Sequence, residues 1–119
     1  MKSNTPVDVG GKMKFYPSEI ILLESDVNYT RLYLADGRTV IVSITLGRLA
    51  QRFASCNFFR THKSYMVNLQ YVAVTHIKHQ VTLRMTNDVE VSVSRRKKGP
   101  LFKTLSLKKP KNEKTIYLQ

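Results

Sequence analysis

The feature that most constrains this chain is a period of two in apolar character, recurring in short runs separated by turn residues. Between Asn28 and Leu34, Tyr29, Arg31 and Tyr33 fall on one side, while Thr30, Leu32 and Leu34 fall on the other. Successive side chains of a strand point to opposite faces, so this run reads as a half-buried β-strand. Asp36-Gly37 follows, where glycine tolerates the positive φ of a tight turn, and Arg38 to Val42 returns as the second arm of a hairpin. Val81, Leu83 and Met85 alternate in the same way, as do Val89, Val91 and Val93, with turns at 78–80 and at Asn87-Asp88. Ile20 to Leu23 is a short apolar run consistent with a buried strand, and Tyr71 to Ile77 is rich in Val and Thr.

The period changes after Val42. Leu46, Leu49, Ala50 and Phe53 sit at i, i+3, i+4 and i+7, one stripe of an α-helix, with Ser43 or Thr45 placed to cap it and Asn57 to end it. Near the C-terminus, Leu101, Phe102 and Leu105 can dock a second short helix, with Pro100 suited to its first position. The length of 119 residues is one domain's worth. It divides into a flexible N-terminal arm at 1–13, with Pro6 and Gly10-Gly11, a folded domain at 14–107, and a basic tail at 108–119 broken by Pro110. The class is mostly β with one or two short helices.

Charge narrows the choice of partner. Twenty Lys+Arg against eight Asp+Glu leave +12, and residues 91–119 hold nine Lys+Arg against one acid, or +8 of that total. Such an excess favours a polyanionic partner, and the densest cluster is Arg95-Arg96-Lys97-Lys98. An arginine fork can also pair with guanine O6 and N7. Cys56 is the single cysteine, which excludes an internal disulfide and a Cys-rich metal site. The first dozen residues lack an apolar signal core, and no apolar run approaches the roughly 20 residues of a membrane span. A cytoplasmic protein without a membrane partner is expected.

Residues 58–68 place Arg60, His62, Lys63 and Ser64 between apolar groups. Ser64 and His62 are two residues apart, but no nearby acid completes a nucleophile, base and orienter, so an enzyme is not expected. His62, His76, His79 and Cys56 do not have metal-ligand spacing: on a strand, His76 and His79 would point to opposite faces. Gly10-Gly11 lacks the Lys-Ser/Thr and helix of a phosphate loop. No cofactor, metal or small-molecule substrate is expected.

Taken together, certain landmarks resemble the LytTR-type DNA-binding domain of bacterial transcription regulators. They are Glu19-Ile20 with Leu23-Glu24, Asn28-Tyr29, Asp36-Gly37-Arg38, Leu46 with Leu49, the block Phe59 to Asn68, and Val93-Ser94-Arg95-Arg96. The most specific are the Phe-Arg-x-His-x-Ser-x-x-Val-Asn block and Val-Ser-Arg-Arg. The resemblance implies about ten short, mainly antiparallel strands in small sheets with short helices. It also implies sequence-specific binding of double-stranded promoter DNA, with loops entering successive major grooves, bending of the duplex, and repeated sites occupied by a second copy. By the same resemblance, Asn28, Tyr29 and Thr30 form one base-reading loop, Lys63 holds a second base-contacting position, and Arg95 holds the third. Arg60, His62 and Ser64 match residues that shape the second loop, with phosphate contact open to them. Arg96, Lys97 and Lys98 would set register and affinity. Gly99-Pro100 interrupts what is usually a continuous terminal helix, so a late start at Pro100 is expected. A receiver needs about as many residues as the whole chain, so none is expected within it. The alternative binding module is an RNA-binding basic β-domain, which would use Tyr29 and Tyr33, on one strand face, to stack bases.

Overall fold

The computed structural model describes residues 5–77, 80–105 and 115–118, with side chains for 5–72 and 81–105. Eleven strands and two short α-helices follow one another among them. The strands are β1 (Val7–Gly10), β2 (Met13–Phe15), β3 (Ile20–Asp26), β4 (Tyr29–Leu34), β5 (Thr39–Val42), β6 (Phe58–His62), β7 (Tyr65–Asn68), β8 (Val72–Ile77), β9 (Gln80–Met85), β10 (Glu90–Ser92) and β11 (Thr115–Leu118). The helices are α1 (Leu46–Arg52) and α2 (Lys98–Thr104), and 3-10 turns occupy Pro17–Glu19, Leu69–Tyr71 and Arg95–Lys97. Three antiparallel sheets result: β1-β2, a five-stranded sheet in the order β5-β4-β3-β7-β6, and a four-stranded sheet in the order β10-β9-β8-β11. Among the described residues, no helix is long and apolar enough to cross a membrane.

The five-stranded sheet is the middle of three layers, which explains why Ile20 to Leu23 is apolar without alternating. A bulge between Ile20 and Leu22 shifts the register against β4. Ile21 and Leu22 then join one core with Val67, Leu83, Val91 and α2's Leu101 and Phe102. Ile20 and Leu23 join the other core with Leu32, Met66, Leu46 and Leu49 of α1, and Phe53 at its end. The α1 stripe faces the core as its spacing predicts, with Leu46, Leu49 and Phe53 buried and Ala50 partly so, and β4 alternates as predicted, with Thr30, Leu32 and Leu34 inward. Thr45, rather than Ser43, caps α1, its hydroxyl accepting from the Arg48 N–H at 3.4 Å. The helix ends at Arg52 with Phe53 at its C-cap, before Asn57.

Both ends of the chain and the start of α2 depart from the sequence reading. The flexible arm at 1–13 is largely folded: Val7–Gly10 pairs with Met13–Phe15, and Val9 is 0% exposed in the second core. Gly10 and Gly11, at φ +89° and +60°, turn a hairpin there and do not form a linker. The tail at 108–119 contains β11, which pairs antiparallel with β8 and sets Ile116 opposite Thr75. Most of the tail and Lys78-His79 of the predicted turn lie outside the described residues. Finally, α2 starts at Lys98, ahead of Pro100. Proline is tolerated as the third helical residue because the first N–H groups of a helix have no intrahelical acceptor.

Candidate nucleic-acid interface

Three segments distant in sequence meet at one end of the central sheet. The first is the Val27-Asn28 turn, since Asp26 pairs with Tyr29 where β3 hands over to β4. The second is the Lys63-Ser64 turn between β6 and β7, and β7 is the other neighbour of β3. The Ser25 N–H donates to the Ser64 carbonyl at 2.8 Å, fixing these two turns side by side. The Ser94 N–H donates to the Thr61 carbonyl at 3.0 Å, which brings Arg95–Lys97 and the start of α2 alongside β6.

Each segment presents its side chains differently. At the first turn, Val27 is 85% exposed at φ +55°, Asn28 is exposed and Tyr29 is 53% exposed. A β-branched residue at positive φ is strained, so this turn holds an unfavourable geometry at its tip. Thr30 is 0% exposed, and its hydroxyl donates to the Ile44 carbonyl at 2.6 Å. It therefore does not reach the surface and, contrary to the sequence reading, is not placed to read a base: the alternation of β4 puts it on the face that packs beneath α1.

The second turn is built around Arg60. Its Nε donates to the His62 carbonyl at 3.1 Å and its Nη2 to the Lys63 carbonyl at 2.6 Å. Partial burial lowers its pKa from the ordinary arginine value, and the planar fork spans two carbonyls of one turn. The His62 Nδ1 accepts from the Ser64 N–H at 3.2 Å. The ring is thus bonded to the backbone of Ser64. Lys63 is exposed at the tip.

At the third segment Arg95 and Arg96 are exposed, while Lys97 and Lys98 are partly buried. Among the described residues, the ion pairs use Arg31, Arg38 and Arg84 and leave Arg95 and Arg96 without one.

The acids near this end are already engaged. Glu24 accepts from Arg31 at 3.1 Å, from the Tyr33 hydroxyl at 2.8 Å and from the Tyr65 hydroxyl at 3.2 Å. Arg31 also pairs with Asp26 at 3.0 Å. One carboxylate thereby ties β3, β4 and β7 together just behind the turns. Partial burial, followed by the neighbouring Glu24 charge and its hydrogen bond, raises the pKa of both Tyr33 and Tyr65. Tyr33 packs against the first core with its hydroxyl occupied, so Tyr29 and Tyr33 do not form an open stacking platform. This Glu24 network was not visible in the sequence as a site. Its signal is the cross-strand register, Glu24 opposite both Arg31 and Tyr65, which follows only once β3 is placed between β4 and β7.

The family model of the LytTr DNA-binding domain matches residues 11–106. Among solved structures, a LytTr DNA-binding domain from Bacillus cereus is similar in fold, with a TM-score of 0.70 at 20% identity, covering 90% of this chain and 100% of that chain. No match was found among curated proteins.

Proposed function

Because this chain belongs to the LytTr DNA-binding domain family, we propose that it binds double-stranded promoter DNA sequence-specifically in a bacterial transcription regulator, acting in the cytoplasm. The observation that carries this reading is the convergence of three exposed segments at one sheet end through Ser25–Ser64 and Thr61–Ser94 backbone bonds. Arg95 donates bidentately to guanine O6 and N7, and Lys63 donates to a guanine acceptor or a phosphate. Asn28, with Tyr29 beside it, is suited to an adenine edge at the first turn. Arg96, Lys97 and Lys98 contact phosphates, which fixes register and adds affinity without reading sequence. Arg60, His62 and Ser64 hold the second turn in shape.

In this reading the turns enter successive major grooves. A duplex that bends toward them makes more contacts at the expense of deformation energy. Repeated sites would accommodate a second copy. A salt titration tests the proposal: if about six phosphates are neutralised, log K falls with log salt at a slope near −5. A slope near zero contradicts it. Single-stranded RNA competing better than duplex DNA of equal charge would favour the RNA-binding alternative.

A further inference from the structure

The folded N-terminal hairpin brings a fourth segment to the same end of the sheet. Thr30 follows the first turn directly, and its hydroxyl is bonded to the Ile44 carbonyl at 2.6 Å. The Ile44 side chain in turn closes on Gly10, where an added Cβ would lie 2.8 Å from its Cδ1. At φ +89° as well, any side chain at position 10 would be strained. This chain of contacts runs from the Val27-Asn28 turn to the Gly10-Gly11-Lys12 turn. The direction of α1 agrees. The helix begins next to Ile44, at its Thr45 cap, and its opposite end is marked by Arg52, whose Nη1 donates to the Asp8 carbonyl at 2.8 Å. β1 therefore runs along α1 from Asp8 toward the end where the three segments meet. The hairpin tip carries Lys12, at φ +63° and exposed, and the first turn of α1 carries exposed Arg48.

Among the described residues neither Lys12 nor Arg48 has an ion-pair partner, whereas Arg38, at the opposite end of the sheet in the β4–β5 turn, is closed on Asp36 at 2.7 Å. Arg95–Lys98 lies with α2 on one side of the central sheet, and Lys12 and Arg48 lie with α1 on the other. We propose that Lys12 and Arg48 form a second phosphate-binding element, contacting the duplex backbone on the α1 side and lengthening the footprint beyond the three base-facing segments. This inference rests on the DNA-binding reading above. Both side chains act as backbone contacts that add affinity without reading sequence.

The test uses the full chain with Lys12→Gln, Arg48→Gln and the double variant. Glutamine removes the charge and keeps a long side chain at the positive φ of position 12. Each single variant is expected to make the salt slope shallower by about one, and the double variant by about two. Affinity for the preferred duplex and for a scrambled one should fall by the same factor. Arg38→Gln, which removes the same charge at the far end, should leave the slope unchanged. Thermal melting confirms that each variant is folded. A double variant with the wild-type slope and affinity overturns the inference, as does a loss confined to the preferred duplex or an equal loss in Arg38→Gln. The wild-type slope separates the two readings: near zero, it contradicts DNA binding itself. A steep wild-type slope retained in the double variant contradicts only the second element.

Discussion

The Ser94 N–H donates to the carbonyl of buried Thr61 at 3.0 Å, anchoring the basic segment to β6 at the residue immediately before Arg95. An arginine that starts from a fixed backbone can hold its fork on one base edge with less ordering cost than one on a loose tail. Arg95→Ala is expected to weaken binding to the preferred duplex by about 1–3 kcal/mol and to a scrambled duplex much less. Equal losses on both would reassign Arg95 to phosphate contact.

Arg60 is expected to matter without touching DNA. Its fork donates to two carbonyls of the Lys63 turn, and hydrogen bonds from a charged group are worth about 1.5–3 kcal/mol. Arg60→Ala should lower unfolding free energy by about 1–3 kcal/mol and speed hydrogen exchange at the Ser64 amide. Arg60→Lys should recover little, because an ammonium lacks the planar fork. Denaturant melts showing unchanged stability in Arg60→Ala would refute this role.

Val27 holds positive φ at the tip of the first turn. Asparagine tolerates that region better, so Val27→Asn should stabilise the domain by about 1 kcal/mol. Denaturant unfolding gives the answer, and a lower midpoint in the variant would mean that Val27 gains more from local contacts than its backbone loses.

Tyr33 and Tyr65 give an alkaline signature. Their folded pKa values are raised above 10.0 by partial burial and then by Glu24. The unfolded chain therefore releases these protons first. The stability they contribute is whole below the unfolded value near pH 10 and is lost as pH rises through the folded values. The melting temperature should fall from about pH 10 upward, and less steeply in Tyr33→Phe and Tyr65→Phe. Identical pH profiles in wild type and both variants would contradict the assignment.

Local periodicity made part of this molecule legible. The β4 alternation and the Leu46-Leu49-Ala50-Phe53 stripe each depend only on near neighbours, and both face the core as they read, with Ala50 partly buried. In sequence alone Gly10-Gly11 reads as linker because paired glycines suit a linker and a hairpin alike; the contact with Ile44, more than 30 residues away, decides between them. The segment at 115–118 is too short to announce a strand without its partner β8. Thr30 shows two readings in conflict. Alternation places it on the same face as Leu32 and Leu34, while the family resemblance implies a base reader, and its burial follows the alternation. The Glu24 network depends on strand order, which no local pattern encodes.

Selection of bound sequences from a random duplex pool decides whether one end of the central sheet reads duplex sequence. The expected result is enrichment of a repeated motif containing a guanine whose preference relaxes when the selection is repeated with Arg95→Ala. A recovered pool as random as the starting one, from protein that nonetheless retains DNA, would contradict it.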